Sequence, residues 1–183
     1  MSGRFAPETE AALLRQGWRL AHAPAGLTLA GLRAGGAPYK GTRYFDQQAA
    51  RTDELPVAGG DVAYRPGLMP GSLNETFEGA AQRVAGLDQL LPPGASATIG
   101  PAALYVWLLV DHQERQGEWL LRQCFTWAAD RSGTTHLAVG VFGQARPLIV
   151  TPVPELTGQG LGVMPIIVPA GEGAGTLPAR SDQ

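Results

Sequence analysis

The sequence predicts an α+β protein: two central helices packed on a mainly antiparallel four-strand C-terminal sheet, with a short N-terminal helix and long Gly/Pro-rich loops. Three observations predict it. Helical periodicity is concentrated between Ser72 and Gln116, strand signals crowd the chain after Gly117, and no regular strand–helix–strand alternation is present. A chain of 183 residues fits one domain and buries roughly two-thirds of its unfolded surface without needing a disulfide or a metal. The expected organisation is one domain over residues 1–170, containing a loop-rich segment at 34–71, followed by a disordered tail at 171–183.

Pro7 to Gln16 reads as the short N-terminal helix. Proline suits the first turn, Glu8 and Glu10 favour the positive end of the dipole, and Gly17 is a natural stop. Leu13 and Leu14 are its expected buried side chains. Trp18 to Ala21 and Leu27 to Leu32 are expected to pair as a hairpin around His22-Ala-Pro-Ala-Gly26. The segment from Ala34 to Gly71 is rich in Gly, Pro and aromatic residues, and one short strand is expected near Val62 to Tyr64.

Ser72-Leu-Asn-Glu75 has the form of a capping box, in which the serine would cap a free amide and the glutamate would reach back. Leu73, Phe77, Ala80, Val84, Leu87 and Leu91 then recur at helical spacing, and Leu91-Pro-Pro-Gly94 ends the run. Pro101 to Gln116 is the second central helix. Its first ten residues are apolar on every face, which places it in the interior. Arg122 to Ala129 and His136 to Phe142 flank the turn Asp130-Arg-Ser-Gly133, and Leu148 to Val153 and Val163 to Val168 complete a four-strand meander. Pro152 and Pro165 assign the last two strands to edges or bulges.

Composition limits the function classes. Charged residues make up 16%, well below the usual quarter, with ordinary hydrophobicity at 44%. Such a surface favours a protein partner or self-association into a homo-oligomer. Lys40 is the sole lysine among fourteen cationic residues, a bias that fits a GC-rich bacterial coding sequence. No acid lies between Ala11 and Phe45, whereas Arg15, Arg19, Arg33, Lys40 and Arg43 do. The first residues lack the apolar run of a signal peptide, and the apolar stretch Pro101 to Val110 is too short to span a bilayer, so a cytoplasmic protein without a membrane partner is expected.

Four constellations carry chemistry. Pro38 to Phe45 packs three aromatic side chains and two cations around one glycine; aromatic faces stack on bases or sugars and cations meet phosphate. Tyr39, Lys40, Arg43 and Tyr44 are its candidate ligand-binding residues, with Arg65 added because Tyr64-Arg65 and Trp18-Arg19 repeat the aromatic–cation pairing. Cys124 with His112 or His136 supplies the residue types of a thiol nucleophile and its base, although their spacing matches no motif. Asp111 and Arg115, at i and i+4, are placed to pair on a helix end. Gly158-Gln-Gly160-Leu-Gly162 lacks the third glycine and the following helix of a dinucleotide loop. One cysteine and three scattered histidines form no metal motif, and neither metal nor cofactor is expected.

The resulting expectation is a non-enzymatic binding or interaction protein, able to self-associate, with a weak nucleic-acid or other polyanion contact through the basic aromatic loop. The alternative is a small hydrolase or transferase using Cys124 with His112 or His136.

Overall fold

The computed structural model describes residues 3–34, 52–53, 56–141, 148–152 and 160–171. It is an α+β fold, with four helices and two sheets among the described residues. In chain order the elements are α1 (Pro7–Arg15), β1 (Arg19–Ala23), α2 (Leu29–Ala34), β2 (Thr52–Asp53), β3 (Gly60–Tyr64), α3 (Phe77–Gly86), a 3-10 turn at Leu87–Leu90, β4 (Ala95–Thr98), α4 (Ala102–Gln116), β5 (Phe125–Ser132), β6 (Thr135–Val141), β7 (Leu148–Pro152), β8 (Leu161–Gly162) and β9 (Ile166–Pro169). Residues 35–51 and 54–55 of the loop-rich segment expected at 34–71 lie outside those described, as does the tail from 172 onward.

The first sheet has the order β1-β3-β9-β4 and is antiparallel throughout. The second has the order β2-β5-β6-β7, with β8 added in parallel to β5. The expected four-strand meander is therefore correct for β5, β6 and β7 and wrong for its last member. The run Val163 to Val168 leaves the second sheet and enters the first as β9, an interior strand rather than an edge. Pro165 has no N–H to continue a ladder. At the crossing, side-chain hydroxyls replace ladder partners: Val163 N–H donates to Ser72 Oγ at 3.1 Å, and Met164 N–H donates to Thr126 Oγ1 at 2.8 Å.

Ser72 thus does not cap a helix. It is fully buried, and α3 begins five residues later with Thr76 as its cap, whose side chain accepts from Gly79 N–H at 3.2 Å. Glu75 pairs with Arg83 instead of reaching back. Leu73, freed from the helix, is 55% exposed. The expected strand at Leu27 to Leu32 is likewise helical. Thr28 Oγ1 accepts from Gly31 N–H at 3.0 Å, and Leu29 and Leu32 are buried three residues apart, a helical spacing. β1 consequently pairs with β3, not with that segment.

α4 behaves as its apolar run predicts: residues from Ala102 to Val110 other than Trp107 are buried, as is His112. The main core joins α4 to both sheets, through Tyr64 and Ile166 of the first and Trp127 and Val139 of the second. The other face of the first sheet packs on α1, where Phe5, Leu13, Trp18, Ala63 and Ile167 form a second, smaller core. Leu14, on the opposite side of α1, is 52% exposed, because a two-turn helix on a sheet buries one stripe only. Trp107 and Trp119 pack partly buried against the main core.

Candidate binding site at the cationic edge of the first sheet

Neighbours along a strand face opposite ways, so Trp18 and Arg19 cannot share a face, nor can Tyr64 and Arg65. The antiparallel register sets Arg19 across from Tyr64, and the same register brings Trp18 beside Arg65. The aromatic–cation pairs seen in the sequence are therefore exchanged between strands. Arg65 lies 4.4 Å from the Trp18 ring centroid and donates to the Gln16 carbonyl. Trp18 is itself buried, so the exposed guanidinium of Arg65 lies over it.

On the other face, Arg19 Nη1 sits 3.5 Å from both ring nitrogens of His112, while Tyr64 Oη is 3.1 Å from His112 Nδ1. Burial first, and then the Arg19 charge, lower the His112 pKa and favour a neutral ring. Burial also raises the Tyr64 pKa. Tyr64 and His112 are buried in this polar contact between α4 and the sheet, and Arg19 covers it from the solvent side. Asp111 and Arg115 form the expected i,i+4 pair at 2.9 Å, half a turn away.

A cleft of about 660 Å³ straddles β1, which is an edge strand of this sheet. It is lined by Arg4, Phe5 and Leu20 on the α1 side and reaches Ala21 and Arg115 on the α4 side. Asp61 anchors its floor. One carboxylate oxygen accepts from Phe5 N–H at 3.1 Å, and the other is 2.7 Å from His22 Nδ1. Among the described residues, Arg4, Arg15, Arg19 and Arg65 are exposed and form no ion pair.

The other sequence candidates are distributed differently. Tyr39, Lys40, Arg43 and Tyr44 lie outside the described residues. Cys124 is half-buried, and burial pushes its thiol pKa up, opposite to the shift that favours thiolate. No hydrogen bond joins it to His112 or His136 among the described residues. His112 is engaged by Tyr64 and Arg19, and His136 is stacked on Phe77 with ring centroids 3.4 Å apart. His136 Nε2 accepts from Arg131 Nε at 3.0 Å. Gly140, across from Phe125, lets Cys124 approach: a Cβ there would collide with the Cys124 carbonyl oxygen. No group of three or more His, Cys, Asp or Glu able to hold a metal ion occurs among the described residues, and no described helix is long and apolar enough to cross a membrane.

The sequence does not announce Arg4, and it offers Arg115 only as the partner of Asp111. Arg4 is near the chain start and Arg115 is in the last turn of α4, so only the packing of both against β1 brings them together. No family model, no curated protein and no solved structure matches this chain.

Proposed function

We propose that this protein is a non-enzymatic binding module that takes an anionic partner at the cationic end of β1 and β3. The observation that carries the proposal is the arrangement of Arg65. Its planar cation is backed by Trp18 and exposed to solvent, Arg19 stands exposed on the opposite face of the same strand pair, and no acid is paired to either among the described residues. A guanidinium supported on an indole keeps one face for stacking on a base and its N–H groups for phosphate or carboxylate. Tyr39, Lys40, Arg43 and Tyr44 belong to the same reading as a second cationic–aromatic element. A cytoplasmic setting and self-association through other surfaces are part of it, supported by the low charge content.

The test is fluorescence anisotropy of labelled single-stranded DNA, double-stranded DNA and polyglutamate at low and moderate salt. Salt-sensitive binding is expected, and an Arg19→Ala/Arg65→Ala variant should bind on the order of tenfold more weakly, with a salt slope smaller by about two. A Lys40→Ala/Arg43→Ala variant reports whether the second element contributes. Absence of binding to all three probes at low salt overturns the reading.

A further inference from the structure

We propose that β1 is the receiving edge for a strand donated by an acidic polypeptide, so that the anionic partner is a protein segment in extended conformation. This rests on the anion-binding reading above and names its partner class. β1 has a single strand neighbour, β3, among the described residues. Every second residue of Arg19–Ala23 therefore points its N–H and C=O away from the sheet, and no described group takes them. Such groups ask for an extended backbone laid alongside.

The other exposed edges differ. At the far side of the same sheet, Asp88 closes the β4 edge, its carboxylate accepting from Ala97 N–H at 2.6 Å and from the Ser96 hydroxyl. In the second sheet, β2 and β8 occupy the outer side of β5, while β7 is an edge with β6 as its one neighbour among the described residues and no described cleft beside it. The β1 edge instead opens into the cleft of about 660 Å³. Leu20 and His22 face α1 there, and Ala21 faces α4, so the cleft wraps the strand on both sides as an added strand would.

Charge selects the donor. Arg4 lines the α1 side, Arg19 at the start of β1 is exposed on the α4 side, and Arg65 stands at the strand end; Arg115, also on the α4 side, is paired with Asp111. Against them, Asp61 is held by Phe5 N–H and His22, Asp111 is held by Arg115, and Glu10 is the remaining carboxylate of the lining. Cations on both faces suit a donor with carboxylates on either face, while Phe5, Pro7 and Leu20 offer apolar wall between them. A second copy pairing through β1 would offer these arginines no carboxylate from the added strand, since Arg19–Ala23 carries none.

The probe is a labelled short peptide of repeating Glu-Glu-Val-Val, which places carboxylates on both faces of an extended strand, compared with its fully N-methylated analogue and with oligothymidylate of equal charge. The expected result is micromolar-range binding of the peptide, weakened on the order of tenfold by N-methylation and by Arg19→Ala/Arg65→Ala. Amide exchange within Leu20 to His22 should slow when the peptide is bound, a change that a side-chain charge contact alone does not produce. Equal binding of the N-methylated peptide, or unchanged exchange at Leu20 to His22, overturns strand addition and leaves the anion site standing. Binding of oligothymidylate without binding of the peptide does the same. Failure of every anion to bind removes both.

Discussion

At the scale of single residues, His136 shows how burial sets a pH response. It is 3% exposed, stacked flat on Phe77, and adjacent to the Arg131 guanidinium. Burial first, then the Arg131 charge, push its pKa down to about 4, so the folded protein holds it neutral. In the unfolded chain it protonates near its ordinary value of 6.5. Stability from this residue is therefore complete above about pH 6.5 and is lost as pH falls toward 4, by about 3 kcal/mol in total. Denaturant midpoints at pH 7, 5.5 and 4 check it. A His136→Phe variant should lose the part of the acid slope that His136 supplies; parallel curves for the two proteins would assign the slope elsewhere. His112, also depressed by burial and Arg19, acts in the same direction and stays in both proteins. Neither histidine's neighbours along the chain announce this response, because burial and the facing arginine come from residues brought together only by folding.

At the scale of elements, α4 illustrates a helix start completed from a distance. Its N-cap residue is Pro101, which supplies no capping side chain. The Ala102 N–H is instead taken by the carboxylate of Asp130, a residue only 1% exposed on β5, at the irregular stretch between Trp127 and Arg131. A carboxylate there meets both a free amide and the positive end of the helix dipole. Asp130→Ala should cost about 1–2 kcal/mol, measured by chemical denaturation, and Asp130→Asn should cost less because it keeps an acceptor. Local reading placed Asp130 in a turn, a sound inference from Asp-Arg-Ser-Gly that missed its long-range partner. The apparent capping box at Ser72 failed for the converse reason. Its hydroxyl was more valuable to the buried Val163 amide than to a helix end, since an unpaired amide in the interior is costly.

At the scale of the whole molecule, the two sheets are not separable units. The chain passes from β8 to β9 within a few residues, and one core links α4 to both sheets. Unfolding should therefore be a single transition, with near- and far-ultraviolet circular dichroism melting together. Separate transitions would show that the small core under α1 is independently stable. The same architecture explains the site. An edge strand, the end of a central helix and the first residues of the chain meet at β1, so the cleft is a product of assembly rather than of any local motif.

By itself the sequence determined the fold class, the buried helix α4, the meander of β5, β6 and β7, and the aromatic–cation character around Trp18 and Tyr64. Each rests on periodicity or on residue types read locally, where 3.6-residue and two-residue repeats are decisive. Only the tertiary structure decided that Arg65 belongs with Trp18 and Arg19 with Tyr64, that the strand within Val163 to Val168 joins the first sheet rather than the second, and that β1 is an open edge with arginines on either side. The physical reason is common to all three. Strand partners are chosen by hydrogen-bond register and shared burial across long stretches of chain, and neither quantity is encoded in the spacing of neighbouring residues.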